Sequence, residues 1–183
     1  MLISNFPDGG GKIVGQVDEM LLFGESITAK DLIVTKQKGL KLADPAAGSL
    51  PSGIARGCAF SPDGTKLVVV YDTSPYITIY DTTTSPYTKL ADPSTLPTGA
   101  GYGCAFSSDG TRLAVAHATA PNITIYNTTS IPYTKIANPN SPPLNASAGC
   151  AFSPDGTRLA VAHSGSPYIT IYDTTTSPYT KLA

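Results

Sequence analysis

One stretch of 35 residues occurs three times in this chain, and it constrains the fold more than any other feature. The copies cover residues 57–91, 103–137 and 149–183, and their cysteines lie 46 residues apart. A fixed period in the forties is typical of β-propeller blades. The sequence therefore predicts three consecutive propeller-like repeats.

Each repeat is predicted to form four short strands. In the first copy, strand a covers residues 57–61, strand b 66–71, strand c 76–81 and strand d 87–91. A Ser-Pro-Asp-Gly turn follows strand a, and strand c alternates isoleucine with threonine and tyrosine in a period of two. Four antiparallel strands joined by short turns indicate an all-β blade.

The repeat does not extend over the first part of the chain. Three short apolar segments within residues 1–40 predict a small N-terminal β-rich segment. The repeats are expected to occupy residues 41–183, where a lone copy of the strand d sequence precedes the first full blade. We therefore expect two parts, a β-rich segment and a set of propeller blades.

Charge and hydropathy argue against two classes of partner. The net charge is -1 and no basic run occurs, so the chain has no evident source of affinity for nucleic acid. No apolar run approaches the roughly 20 residues that a membrane-spanning helix needs, and the first residues do not resemble a signal peptide. We expect no nucleic-acid partner and no membrane insertion.

The cysteines and histidines are the candidate residues for a metal or redox site. Cys58, Cys104 and Cys150 each occupy the same place in an alternating apolar segment, which predicts small buried free thiols. His117 and His163 occupy matched positions, but the first copy has tyrosine there, so a ring of metal ligands is not expected.

The remaining polar groups do not suggest chemistry. The a–b turn of each copy has an aspartate before a glycine, and turn geometry explains these aspartates without calcium; they are Asp63, Asp109 and Asp155. No set of side chains forms a recognisable catalytic arrangement. We therefore expect no metal, no cofactor, no catalytic residues and no enzymatic activity.

Two strings carry a family resemblance. The string AFSPDGTRLAVA followed by ITIYDTTT resembles WD40-like bacterial propeller repeats, in which strand c ends in an aromatic–aspartate pair. Those pairs are Tyr80-Asp81, Tyr126-Asn127 and Tyr172-Asp173. The chain departs from true WD40 repeats because it has no tryptophan and no Gly-His pair before strand a, so their buried hydrogen-bond network is not expected.

A narrower resemblance concerns viral proteins. SPYITIY together with YTKLADP is similar to repeats in propellers of bacteria and their phages, often in virion or tail-associated proteins. The N-terminal segment, with FPDGGGK and FGESITAKDLIV, resembles short β-rich attachment modules of phage structural proteins. The resemblance implies a virion component made in the bacterial cytoplasm, whose N-terminal segment binds other virion proteins.

Differences between the copies predict a binding surface. The first and third copies agree at 29 of 35 positions, and all six differences fall within residues 66–73. In an antiparallel blade, the b–c turn and the connection from strand d to the next strand a emerge at one end, and loops on a rigid scaffold commonly carry binding. These loops could instead simply tolerate change. The predicted binding residues are Arg56, Tyr71, Asp72, Tyr102, His117, His163 and Ser164.

The expected function is a non-enzymatic structural and binding role. The chain is expected to be a surface-displayed phage propeller that mediates attachment by binding a cell-surface glycan or protein. The alternative is a bacterial cytoplasmic WD40-like scaffold for protein–protein interaction. Three blades are too few to close a ring, so we expect either a homo-oligomer, such as two copies in a six-bladed ring, or part of a longer chain.

Overall fold

A computed structural model describes residues 43–46 and 48–182. These residues form twelve β-strands in three four-stranded antiparallel sheets, and no helix occurs among them. The predicted segment over residues 1–40 lies outside the described residues, so the proposed division of the chain stays a prediction. Within the described part, no helix is long and apolar enough to cross a membrane.

The strands follow one another in chain order, and each set of four is one blade. Blade 1 consists of β1 (Ala55–Phe60), β2 (Lys66–Tyr71), β3 (Ile77–Asp81) and β4 (Thr88–Lys89). Blade 2 consists of β5 (Gly101–Phe106), β6 (Arg112–His117), β7 (Ile123–Asn127) and β8 (Thr134–Lys135). Blade 3 consists of β9 (Ser147–Phe152), β10 (Arg158–His163), β11 (Ile169–Asp173) and β12 (Thr180–Lys181).

The predicted all-β blades are confirmed, with differences at the strand ends. Strand a begins two residues earlier than predicted, because a register shift between Ala55 and Gly57 lets the pairing with β2 continue. Strand d is shorter than predicted, since only Thr88 and Lys89 pair with β3. Beyond them one backbone bond remains, from the N–H of Leu90 to the carbonyl of Ile79 at 2.8 Å.

The hydrophobic core lies between neighbouring blades. Alternation along each strand directs every second side chain to one face of the sheet, so each blade has one face toward the preceding blade and one toward the following blade. We call these the rear face and the forward face. The cluster between blades 1 and 2 contains Val68, Val70, Ile77, Ile79, Leu113, Val115, Tyr126 and Tyr133. The cluster between blades 2 and 3 contains Ala114, Ala116, Ile123, Ile125, Leu159, Val161, Tyr172 and Tyr179.

Glycines let the first strands of adjacent blades approach closely. β1 contacts β5, and β5 contacts β9. A Cβ added to Gly57 would lie 2.9 Å from the carbonyl oxygen of Tyr102, and one added to Gly103 would lie 3.0 Å from the Cα of Gly149. A side chain at either position would therefore crowd the backbone of the next blade. At Gly149 the same added Cβ would meet no atom within 4 Å, so this place on blade 3 is open.

A tyrosine in strand c anchors the connection that leads into its own blade. The hydroxyl of Tyr126 donates to the carbonyl of Thr95 at 2.9 Å, and the hydroxyl of Tyr172 donates to the carbonyl of Ser141 at 2.8 Å. Tyr80 makes the same bond to Ser49. The tyrosines predicted from the aromatic–aspartate pairs are buried side chains that fix the blade connections.

Candidate functional site

The a–b turns carry a repeated hydrogen-bond network. In blade 1 the Ser61 hydroxyl donates to Asp63 Oδ1 at 2.5 Å, the Thr65 N–H donates to the same oxygen at 3.0 Å, and the Thr65 hydroxyl donates to Asp63 Oδ2 at 2.9 Å. Blades 2 and 3 repeat these bonds around Asp109 and Asp155. Each carboxylate is therefore held in one orientation.

The same bonds keep these carboxylates ionised. The hydroxyl of Ser61, followed by the backbone and side chain of Thr65, lowers the pKa of Asp63 to about 2. Ser107 and then Thr111 lower the pKa of Asp109 in the same way. A carboxylate has about four lone-pair positions, and three of them are used in each turn. One acceptor position of each aspartate remains for a ligand.

A cleft of about 520 Å³ lies between blades 1 and 2 at the end of these turns. Blade 1 contributes its a–b turn, and blade 2 contributes its a–b turn together with its c–d turn. The cleft is lined by Ser61, Pro62, Asp63, Thr65, Lys66, Phe106, Asp109, Gly110, Thr128, Thr129, Ser130, Ile131 and Tyr133. We call this the inter-blade cleft.

The lining combines hydrogen-bonding groups of both kinds with aromatic surface. Burial, with a smaller contribution from the Asp63 charge, raises the pKa of Tyr133 to about 12, so its hydroxyl remains a donor at neutral pH. The Lys66 ammonium lies 3.8 Å from an Asp81 oxygen and 3.3 Å from the Thr65 carbonyl. Phe106 is only partly buried and contributes an apolar ring. The cleft can therefore accept hydrogen bonds from a ligand, donate hydrogen bonds to it and offer an apolar surface on which it can pack.

The opposite end of the blades carries the residues predicted to bind a ligand, and three of them are buried. Tyr71, His117 and His163 are 1%, 0% and 5% exposed. The Tyr71 hydroxyl lies 2.9 Å from Thr78 Oγ1, and Nε2 of each histidine lies 2.9 Å from the equivalent threonine. The expectation that these three side chains form accessible surface is wrong, because they support strand c inside their own blade.

The connection that enters each blade explains this burial. It lies across the b–c turn and is hydrogen-bonded to it: the N–H of Ile54 donates to Asp72 Oδ1 at 2.9 Å, and the Thr98 hydroxyl donates to the Ala120 carbonyl at 2.9 Å. In blade 3 the N–H of Ser164 donates to the carbonyl of Ala146 at 3.0 Å. Ser164 itself is exposed.

The structure brings three of the other predicted residues together. Arg56 Nη2 lies 3.3 Å from Asp72 Oδ2, and its guanidinium carbon lies 5.4 Å from the centroid of the Tyr102 ring. This group spans blades 1 and 2 at the end opposite the inter-blade cleft. Blade 2 has Ala118 at the place of Asp72, and blade 3 has Ala148 at the place of Arg56, so the group occurs once in the described part. Whether it binds a ligand stays a prediction.

The b–c turns at this end contain a strained backbone position. Tyr76, Asn122 and Tyr168 have φ values of 67°, 65° and 70°, in the left-handed region that favours glycine. Asparagine tolerates this region better than tyrosine does. Asn122 is also held by a bond from its side-chain amide to the carbonyl of Pro143 at 2.8 Å.

The cysteines are free thiols, and they differ in exposure. Cys150 Sγ lies 3.5 Å from the carbonyl oxygen of Ala114, and Cys104 Sγ lies 4.0 Å from that of Val68, so each points at strand b of the preceding blade. Burial raises the pKa of both thiols, that of Cys150 to about 12. Cys58 is exposed, contrary to the prediction of burial for all three. Among the described residues, no group of three His, Cys, Asp or Glu side chains could hold a metal ion.

The inter-blade cleft was missed because it belongs to no single repeat. Asp63 and Asp109 were interpreted only as turn residues, and Phe106 and Tyr133 only as strand residues. The sequence does contain a signal for the cleft. Strand a of blade 2 ends at Phe106 and strand d begins directly after Tyr133, so both side chains lie at the end of the blade where the a–b turn is found. Placing two blades side by side would have combined them.

Comparison with known proteins supports the architecture. No protein-family model matches the chain, and neither does any curated protein sequence. The solved structure of a candidate 6-phosphogluconolactonase from Bacteroides fragilis is similar with a TM-score of 0.59 and 16% identity over 70% of this chain and 37% of that protein. Hydrazine synthase from Kuenenia stuttgartiensis has a TM-score of 0.56 and 22% identity over 82% of this chain and 38% of that protein.

A second candidate 6-phosphogluconolactonase, from Bacteroides uniformis, has a TM-score of 0.54 and 15% identity, over 70% of this chain and 39% of that protein. The chain thus spans less than two fifths of the length of these proteins. At such identities the likeness shows a propeller-like fold. One expectation is corrected with it: candidate 6-phosphogluconolactonases have this blade fold, so the fold does not support the expectation that the chain lacks enzymatic activity.

Proposed function

We propose that this chain is a recognition segment of a β-propeller and that it binds carbohydrate in the inter-blade cleft. The observation that carries the proposal is the lining of that cleft, in which fixed carboxylates, hydroxyls, an ammonium group and two aromatic rings surround about 520 Å³. This volume lies within the usual range of small-molecule sites.

The lining matches the surface of a sugar ring. Each sugar hydroxyl both donates and accepts a hydrogen bond, so a cleft that binds it needs acceptors and donors side by side. Asp63 and Asp109 are ionised acceptors with one free position each, and Lys66 and Tyr133 are donors. The apolar C–H face of a sugar ring can pack on Phe106.

The biological setting is proposed from the sequence resemblance. SPYITIY and YTKLADP are similar to repeats in virion-associated propellers, so we propose that the cleft contributes to attachment of a phage particle to a glycan on the host surface. Near-identical blades favour such a role, because several weak sites on one particle raise the overall affinity without new contacts.

Glycan binding by the full chain tests the proposal. A glycan array identifies a ligand. Calorimetry then compares the affinity of that ligand for the unmodified chain with its affinity for the Lys66→Ala and Tyr133→Phe variants. Each variant removes one donor from the cleft, and we expect each to weaken binding about 5- to 150-fold, corresponding to roughly 1–3 kcal/mol.

The opposite end of the same blades provides matched control variants. Arg56→Ala and Asp72→Asn alter the exposed group on the loop end and leave the inter-blade cleft intact. They should bind the glycan as the unmodified chain does. If they lose binding while Lys66→Ala and Tyr133→Phe retain it, the cleft is not the site and the loop end is.

Any glycan that binds should also be tested as a substrate. Candidate 6-phosphogluconolactonases share this blade fold, so hydrolysis of bound glycans and of sugar lactones is measured with the same variants. Turnover that disappears in Tyr133→Phe would add a reaction to the recognition role.

A further inference from the structure

Blade 1 and blade 3 each expose one face whose counterpart in the other blades is covered by a neighbouring blade. On the forward face of blade 3, Ile169 and Ile171 are 50% and 39% exposed, whereas the equivalent Ile77 and Ile79 of blade 1 are 0% and 1% exposed. On the rear face of blade 1, Phe60 is 55% exposed, and its equivalents in blades 2 and 3 are partly buried against the preceding blade. Within the described residues, large apolar side chains at matched positions thus lack a covering blade on the outer faces of blades 1 and 3.

We propose that a second copy of this chain covers both faces. The forward face of blade 3 would pack on the partner's blade 1, and the partner's blade 3 would pack on blade 1 of the first copy. The result is a closed six-bladed ring with two identical junctions, which falls within the usual four to eight blades of a propeller. Each junction continues the interfaces already present between blades 1 and 2 and between blades 2 and 3.

The backbone at the open faces permits this contact. At the existing interfaces, strand a glycines leave room for the first strand of the next blade, and Gly149 leaves the same room with no atom within 4 Å. The partner's Gly57 would stand against it, as Gly149 stands against Gly103. The junction therefore places glycine against glycine, as the interface between blades 2 and 3 does.

Side-chain volumes at the junction are also compatible. Between blades 1 and 2, Val70 is paired with Gly101 so closely that a Cβ on the glycine would lie 2.7 Å from the valine Cβ. The next interface has Ala116 and Ser147 at these positions. The new junction would bring Ala162 against the partner's Ala55, and two alanines fit where valine and glycine fit.

The thiols provide an internal reporter of the contact. Cys104 and Cys150 face carbonyl oxygens of strand b in the preceding blade, whereas Cys58 is exposed. At the new junction the partner's Cys58 would face the carbonyl of Ala160, the equivalent of Ala114. Association should therefore protect Cys58 from alkylation.

The junction would also create a further cleft, a consequence that rests on the function proposed above. By repeat equivalence, Ser153, Asp155 and Arg158 of one copy would face the partner's Phe60, Asp63 and Tyr87. These correspond to Ser61, Asp63 and Lys66 opposite Phe106, Asp109 and Tyr133 in the inter-blade cleft. Two chains would then share one binding site.

The mass of the full chain in solution tests the ring. Light scattering after size-exclusion chromatography should give twice the chain mass of 18.9 kDa. Cys58 should be alkylated at least ten times more slowly at a concentration where the pair is formed than at one where it dissociates. A mass of one chain at high concentration, or a ladder of species larger than two, would overturn the proposal. Neither readout requires a ligand, so failure of carbohydrate binding leaves this test unaffected.

Substitutions at the two faces show whether the contact is the one proposed. Ile171→Glu and Phe60→Asp each alter a side chain that is exposed in the single chain, so the blades should fold, as checked by circular dichroism, and each variant alone should be monomeric. A mixture of the two variants should regain pairs, because the unaltered face of each meets the unaltered face of the other. Leu144→Glu, at a 74% exposed loop position, is the control and should remain paired. Pairing of Ile171→Glu alone, or no pairing in the mixture, contradicts the proposed faces.

Discussion

Gly165 lies so close to the side-chain amide of Asn145 that a Cβ added to this glycine would overlap it. Blades 1 and 2 contain the same contact in reverse: Gly53 lies against Thr73, and Gly99 lies against Thr119. In blades 1 and 2 the glycine lies in the blade connection and the larger residue in the b–c turn. In blade 3 the larger residue lies in the connection and the glycine in the turn. Variation that seems random along the chain is therefore steric compensation between two loops.

A double-mutant cycle at this contact should show strong coupling. Gly165→Thr alone should lower the free energy of unfolding by about 1–3 kcal/mol, because the threonine overlaps Asn145. Adding Asn145→Gly recreates the pair found in blade 2 and should recover most of that loss, with a coupling energy of about 0.5–3 kcal/mol. Urea unfolding of the unmodified chain, the two single variants and the double variant measures this coupling energy. Additive effects would show that the loops do not constrain each other.

Tyr168→Gly should stabilise the protein. Tyr168 is 65% exposed and has a φ of 70°, so glycine removes backbone strain and sacrifices little packing. Strain relief is partly offset by the greater freedom of glycine in the unfolded chain, and we expect a gain of about 0.5–1 kcal/mol in thermal or urea unfolding. Tyr168→Ala removes the same ring but retains the Cβ, so it should show no gain. An equal gain in both variants would show that the aromatic ring of Tyr168, and not its backbone conformation, destabilises the protein.

Acidification should destabilise the protein through His117. Burial lowers the pKa of this imidazole from 6.5 to about 4. Between these values the unfolded chain binds a proton that the folded chain does not, so stability falls as the pH decreases from about 6.5 to about 4, by at most about 3 kcal/mol. Urea unfolding across this range measures the slope.

The first blade provides the matched variant for this experiment. Tyr71 occupies the position of His117 and makes the same contact to a strand c threonine. His117→Tyr should therefore keep the contact and reduce the slope between pH 6.5 and 4. The lowered pKa of Asp63 and Asp155, about 2 each, affects stability only below about pH 4, where those carboxylates become protonated in the unfolded chain first. An unchanged slope in His117→Tyr would exclude the imidazole as its source.

The three thiols should differ in reactivity. Burial raises the pKa of Cys104 and Cys150, so neither thiol is available as thiolate in the folded chain at pH 8. In dilute solution one thiol per chain, Cys58, should react with a disulfide reagent, and all three should react in urea. Mass spectrometry of the labelled peptides identifies them. Rapid labelling of Cys104 without denaturant would show that the blades separate readily.

The blades could be predicted well because each strand occurs in three near-identical copies, and apolar and polar residues alternate along strand c in all of them. Strands b and c are found within one residue of their predicted bounds. Strand d was predicted too long, since Leu90 is apolar like a strand residue but packs against the core cluster beyond the end of the pairing. Pattern alone does not show where a ladder of hydrogen bonds stops.

The site was harder to predict because it depends on contacts between repeats. His117 and His163 were placed at the correct end of the blade, but their burial follows from a connection some twenty residues earlier that lies across them. Arg56, Asp72 and Tyr102 were predicted separately and do come together. The inter-blade cleft joins residues of two blades that no single copy of the repeat contains.

The tyrosine anchors have a consequence for how such a chain can change its length. Tyr126 holds the carbonyl of Thr95, and Tyr172 holds that of Ser141, always 31 residues earlier. Because the spacing is constant, adding or removing 46 consecutive residues leaves each anchoring tyrosine with a carbonyl 31 residues before it. Recombination between the near-identical copies can add or delete a whole period and leave every tyrosine anchor with a partner, so blade number is a property that inheritance can adjust in single steps.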